Sequence, residues 1–366
     1  MALVDDRARA ARAATVAKAL AGWLLAGPAQ IADGPEAGAI AGTVDAHGHA
    51  DYAYAEITGY YLHWLASPHL GRDVDEPRLI ANATAAARWC ERRVLDLSLV
   101  PTRISLRPQE APDWRNQALF CFDLGMLVGG LSAARRRNLI AAPQRVLARL
   151  LQQLGDFAND HGLSPLRVLD RARELPDRWS TRSGPFLVKA AARILSAQAL
   201  IEVPPALEAA CQAHLERFAV QAPGARDDPA HATLYFLEGE LALACERNAR
   251  SATLLKSLLK SMDPAGNLPE SSDSPVLRAD IVAQALRIGV LLRACGERRA
   301  PADGVLDQLA DNLVARVRGD GGIAFREGQE APQLNVWCAM FAEQALSWYA
   351  QWRGLRTLNA NAWDIV

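Results

Sequence analysis

Stretches that are apolar nearly all round alternate along this chain with stretches that carry apolar residues on one stripe only. The first kind begins near residues 55, 116, 183, 230, 279 and 334, as in EITGYYLHW, QALFCFDLGMLVGGL, FLVKAAARILSAQAL, ATLYFLEGELALAC, IVAQALRIGVLLRAC and VWCAMFAEQALSWYA. The second kind covers 77–97, 143–157, 204–220, 251–262 and 304–317, and an amphipathic helix over 5–25 opens the chain before Gly27-Pro28 stops it. A helix that is apolar all round is buried on every side, whereas one apolar stripe marks an outer helix with a wet face. Six inner–outer pairs at intervals of about 45 to 65 residues predict a closed ring of helical hairpins. No β-branched alternating run and no Asn-Gly turn occurs between them, so no strand is predicted. Irregular units and long loops argue against a regular solenoid.

The loops before the inner helices are polar and punctuated by Gly and Pro, as in Gly38 to Trp64, GAIAGTVDAHGHADYAYAEITGYYLHW. This pattern resembles the (α/α)6 toroid of many glycoside hydrolases, polysaccharide lyases, sugar epimerases and the related terpenoid cyclases. The last unit, DGGIAF…NVWCAMFAEQAL, is similar to the Gly-rich-loop-to-aromatic-helix repeat of the cyclase branch. Together EITGYYLHWL, HATLYFLEGELAL, DIVAQALRI and NVWCAMFAEQAL resemble bacterial toroid proteins found among polysaccharide-biosynthesis genes. The resemblance implies an all-α fold, one toroid domain over residues 1–366, and an enzyme acting on a sugar or glycan precursor by hydrolysis, elimination or epimerisation.

Composition narrows the partners. A chain that is 50% hydrophobic and 22% charged can bury a large core, and a formal charge of −1 offers no general attraction to nucleic acid or anionic membrane. No apolar stretch approaches the ~20 uncharged residues of a membrane span. The first residues fit neither a signal peptide nor an anchor, so a cytoplasmic location is expected. The six cysteines lack any metal-ligand spacing and read as small buried hydrophobes in a reducing compartment. The expected ligand is a small molecule or oligosaccharide.

In such a ring, inner-helix stripes at i, i+4 and i+7 line the centre, and the loops leading into them gather at one mouth. The stripes read Glu56, Tyr60, His63; Asn116, Phe120, Asp123; Arg182, Phe186, Lys189; His231, Tyr235, Glu238; Asp280, Gln284, Arg287; and Asn335, Ala339 with Ala342 or Glu343. Buried charge is expensive unless paired or solvated, so these residues face a polar cavity or, for Asp123, Lys189, Glu238 and Arg287, tie helices together.

Candidate acids and bases are Asp45, Asp51, Glu56, Asp228, Glu270, Asp273 and Asp280. Glycoside hydrolysis needs two carboxylates, and Glu56 with Asp280 is the favoured pair because both open inner helices. Their alternative role is to stabilise a helix dipole. A lyase or epimerase needs a base, for which His231, Tyr60 or Tyr54 serves, with Arg278, Arg326 or Asn335 gripping a sugar acid group. Tyr235 continues the His231 stripe into the binding surface. Trp114, Trp179 and Trp337 stand near three helix starts, where they stack on sugar rings or pack loops onto the ring. Asp45, His47, His49 and Asp51 alternate on one face and could ligate zinc, but no HExxH or third cluster accompanies them, and no metal is expected. The chain has no DxDD cluster, P-loop, GxGxxG after a strand or GxSxG elbow, so no cofactor is expected. The remaining alternatives are a non-catalytic ligand- or partner-binding toroid and a cyclase-like enzyme on an apolar substrate.

Overall fold

Inner helices are inner because they have no side to give to water. All eleven residues of α2 (Ala55–Leu65) are buried, and in α10 (Ala279–Ala294) every residue from Ala279 to Leu292 is. A computed structural model describes residues 2–70, 74–97, 100–107, 113–169, 175–221, 229–243, 248–271, 274–326 and 333–366. It is 61% helical, with twelve α-helices and only short strands among the described residues.

The chain forms two compact units. The amino unit (Pro28–Thr43 and His49–Ala222) holds inner helices α2, α4 (Cys121–Arg136) and α6 (Leu187–Leu195). Their outer helices are α3 (Glu76–Glu91), α5 (Gln144–Gly155) and α7 (Pro205–Val220). Helix α4 packs between α2 and α6. Small residues allow this closeness: a Cβ on Gly59 would come within 2.5 Å of the Met126 carbonyl, and one on Gly130 within 2.1 Å of the Gly59 oxygen. Outer helices α3 and α7 carry Pro in their first turn, where its missing N–H costs nothing.

The carboxy unit (Met1–Gly27, Val44–Gly48 and Pro223–Val366) repeats the plan. Its inner helices are α8 (Ala230–Leu243), α10 and α12 (Val336–Leu355), with α10 in the middle. Helices α9 (Asn248–Leu258) and α11 (Asp303–Arg316) lie outside. The opening helix, α1 (Ala2–Ala26), lies along α12.

Two expectations need correction. The second inner helix begins at Cys121 and not near 116, because Trp114–Gln117 form a 3-10 turn and Ala118–Phe120 an extended strand. That strand pairs antiparallel with Leu166–Val168, Ala118 opposite Val168 and Phe120 opposite Leu166. Strands therefore exist, contrary to the reading of the sequence: Tyr52–Tyr54, just ahead of α2, likewise pairs with Arg103–Ser105. Each ladder is three residues long, too short for period-two alternation to show against the helix pattern that follows. They hold the chain extended up to the first turn of α2 and α4, which fixes where Glu56 and Asp123 emerge.

Candidate active site

In the carboxy unit, polar side chains at the starts of α8, α10 and α12 converge on Asp280. Arg278 lies in extended backbone at the N-cap of α10 (φ −113°, ψ 138°), so its side chain can turn back on Asp280 two residues later. Its Nε donates to Asp280 Oδ1 at 3.0 Å and its Nη2 to Oδ2 at 2.6 Å, while Nη1 donates to Glu270 at 2.9 Å. Trp337 Nε1, from the first turn of α12, donates to Asp280 Oδ2 at 3.1 Å. His231, in the first turn of α8, places Nδ1 3.6 Å from the same oxygen and 2.7 Å from Gln284 Oε1. The Tyr235 ring lies against the imidazole, centroids 4.2 Å apart.

The electrostatics follow from burial and these partners. Burial alone would raise the Asp280 carboxyl, but the Arg278 guanidinium, His231 and Trp337 hold it down to about 2. Asp280 is thus a fixed anion at neutral pH and no proton donor. Burial lowers His231 to about 4 against the opposing pull of Asp280, so its ring is neutral at pH 7. Beneath this cluster, Gln284 Nε2 donates to Glu238 Oε1 at 3.1 Å, and Arg287 Nε donates to the same oxygen at 3.0 Å. Glu238 and Arg287 are thereby an inter-helix tie between α8 and α10.

The amino unit gathers a second set. Glu56 in the first turn of α2 and Asp123 in the first turn of α4 are both buried. Burial and the charge of Glu56 push the Asp123 carboxyl well above the usual range, and its Oδ2 has no hydrogen-bond partner. One turn after Glu56, Tyr60 accepts a hydrogen bond from buried Lys189 Nζ at 3.2 Å. The Arg103 guanidinium rests over the Tyr52 and Tyr54 rings, 4.5 and 5.3 Å from their centroids. Sequence reasoning placed Asp123 on a cavity-lining stripe or as a helix tie, and not among the candidate acids. Its position in the first turn, like that of Glu56, was obscured by reading the helix from 116.

The other sequence-named residues divide as follows. Glu56 and Asp280 belong to different units. Arg278 is committed to Asp280 and Glu270, while Arg326 is exposed, its guanidinium 5.4 Å from the Phe325 ring centroid. Asn335 caps α12 by accepting from the Cys338 N–H at 2.9 Å, and its buried Nδ2 has no hydrogen-bond partner. Trp114 packs on Phe120, Trp179 edge-on to Phe186 and Trp337 against Phe325, with centroids 5.9, 5.0 and 5.4 Å apart. His47 and His49 are exposed; the His47 N–H donates to the Asp45 carboxylate in a tight turn, and Asp51 accepts from the Thr43 hydroxyl. Among the described residues no three His, Cys, Asp or Glu side chains are grouped to hold a metal. No described helix is long and apolar enough to cross a membrane. Asp228 and Asp273 lie outside the described residues.

No family model and no curated protein matches the chain. Solved structures do. A cellobiose 2-epimerase from Spirochaeta thermophila is 13% identical, covers 92% of this chain and 97% of its own, and superposes with a TM-score of 0.65. A D-mannose isomerase is 10% identical over 92% of this chain and 96% of its own, with a TM-score of 0.68. A type II terpene cyclase from Scytonema is 13% identical over 93% and 98%, with a TM-score of 0.57. Identities this low speak to architecture alone, and the architecture is the (α/α)6 toroid.

Proposed function

We propose that the protein is an enzyme that isomerises or epimerises a sugar by proton transfer, with His231 as the base. The observation that carries this reading is a neutral, buried imidazole placed 3.6 Å from a carboxylate that stays ionised. A carbon next to a sugar carbonyl gives up its proton to such a ring, and Asp280 stabilises the imidazolium that forms. The enediol that results takes the proton back from the imidazolium at the neighbouring carbon, while the hydroxyl proton there passes to the former carbonyl oxygen, and this completes isomerisation. Epimerisation requires the enediol to turn over before the ring, so that the same imidazolium returns the proton to the opposite face of the first carbon. Arg278, Trp337 and Gln284 are positioning residues: they hold Asp280 and the ring and keep both in one geometry. Asn335 Nδ2, a buried donor at the start of the same helix as Trp337, is suited to a sugar oxygen.

The likeness of fold to an epimerase and an isomerase of sugars supports the same class. The substrate class is an aldose or ketose, free or at the reducing end of a disaccharide. Elimination from a sugar acid is less favoured, because Arg278 already serves two carboxylates. An apolar cyclase substrate is a poor match for so charged a cluster.

One observation favours a second reading. The Glu56–Asp123 pair, in which burial and the charge of Glu56 push the Asp123 carboxyl well above its usual range, has the makings of the acid that glycoside hydrolysis requires. Product analysis by NMR separates the two. The protein is incubated with free aldoses, ketoses and β-linked disaccharides. Isomer formation without bond cleavage, lost in His231→Gln and retained in Asp123→Asn, supports proton transfer. Release of monosaccharides, lost in Asp123→Asn and retained in His231→Gln, rejects it in favour of hydrolysis.

A further inference from the structure

Resting on the assignment of His231 as the base, we propose that a buried side-chain relay, Gln284–Glu238–Arg287–Gln344, locks His231 in the Nδ1–H tautomer and so makes Nε2 the nitrogen able to take a proton. A neutral imidazole can carry its proton on either nitrogen, and only the other one can act as base. What decides is which atom faces Nδ1. A primary amide such as Gln284 could turn either its oxygen or its NH2 to the ring, so its orientation has to be fixed from behind.

The relay fixes it. Glu238, which accepts twice from the Arg287 guanidinium, is a carboxylate and can only accept hydrogen bonds. The atom of Gln284 facing it at 3.1 Å is therefore the NH2, which leaves Oε1 facing His231 Nδ1 at 2.7 Å. An oxygen acceptor there requires a proton on Nδ1. A second polar neighbour of Nδ1, Asp280 Oδ2 at 3.6 Å, is also an acceptor and asks for the same proton.

Arg287 is held in turn. Its Nη1 donates to Gln344 Oε1 at 3.2 Å, and that oxygen also accepts the Val366 N–H at 3.1 Å. Gln344 Nε2 donates to the Asp364 carbonyl at 2.7 Å, so three partners agree on one amide orientation. The Phe341 ring lies 4.1 Å from the Arg287 guanidinium. Asp364 and Val366 thus orient Gln344, which helps hold Arg287 on Glu238, and Gln284, Glu238, Arg287 and Gln344 are all buried. Buried polar networks of this kind specify one arrangement when every member is satisfied.

The test is a long-range proton–nitrogen NMR correlation on the full chain with 15N-labelled histidine and no ligand, His231 being assigned by the signal that His231→Gln removes. The expected result near pH 7 is one pattern, Nδ1 protonated and Nε2 not, with the Nε2–H pattern appearing in Gln284→Leu. A wild-type protein showing Nε2–H overturns the proposal without any variant. A Gln284→Leu protein that keeps the wild-type pattern also overturns it, since Asp280 alone would then set the tautomer. The outcome is separate from the functional reading: turnover by His231→Gln would reject His231 as the base while leaving the tautomer intact.

Discussion

Arg278 grips Asp280 through two parallel hydrogen bonds, of 3.0 and 2.6 Å, inside a region where the carboxylate has no exposure at all. Removing one partner of such a pair leaves the other charge buried and uncompensated, which costs more than the pair itself contributes. Asp280→Asn is therefore expected to lower stability by about 3 kcal/mol. Urea denaturation measures it, with Glu270, half-exposed and also bound to Arg278, keeping the loss from being larger. A loss below about 0.5 kcal/mol, the ordinary scale of surface substitutions, would mean that Asp280 is not the counter-ion described.

Acid should loosen the fold in two stages. His231 and His214 are both buried and both lowered by burial to about 4. The unfolded chain takes up a proton at each near pH 6.5 while the folded chain does not, so stability falls as pH drops from 6.5 toward 4. Each histidine contributes on the order of 3 kcal/mol to that fall. Asp280, lowered to about 2, adds a further loss only below the ordinary aspartate range near pH 4. Asp123, its carboxyl raised by burial and by Glu56, pulls the other way over the same range. Urea midpoints at pH 7, 5.5 and 4.5 should fall more steeply in wild type than in His231→Gln, and equal slopes contradict a buried neutral His231.

At the crossing of α2 and α4 there is no space for a side chain. Gly130→Ala brings a methyl within 2.1 Å of the Gly59 carbonyl oxygen and forces the two helices apart. The expected cost is about 1–3 kcal/mol, seen as a lower melting temperature. Because Glu56 and Asp123 ride on these helices, the same variant should also disturb Asp123. Gly155→Ala, where nothing lies within 4 Å, is the control and should leave the melting temperature near wild type.

The helices were largely legible in the sequence because burial on all sides and burial on one side leave different patterns. The run in α2, where polar residues are sparse and none is exposed, is the plainest instance. The short ladders were not legible: Ala118–Phe120 is apolar and continues without a break into an apolar helix, and only its pairing with Leu166–Val168 distinguishes it. Of the site, spacing pointed to His231, Asp280 and Gln284, since first-turn residues and their i+4 neighbours share a face. The fate of Arg278 was hidden. Residues two apart do not face each other on a helix, and Arg278 reaches Asp280 only because it sits in extended backbone just ahead of the first turn. Nor could spacing show that Glu56 would find its neighbouring carboxyl in Asp123, because that depends on how closely Gly59 and Gly130 let α2 and α4 approach.

Deuterium incorporation from solvent reports directly on proton transfer at a sugar carbon. The protein is incubated with aldoses and ketoses in D2O, and the carbons beside the carbonyl are followed by proton and carbon NMR. Proton abstraction by His231 predicts loss of the proton signal at one such carbon in wild type, at least tenfold slower in His231→Gln folded to wild-type stability. Wild-type protein that interconverts sugars without taking up deuterium, or His231→Gln that exchanges at the wild-type rate, would contradict it.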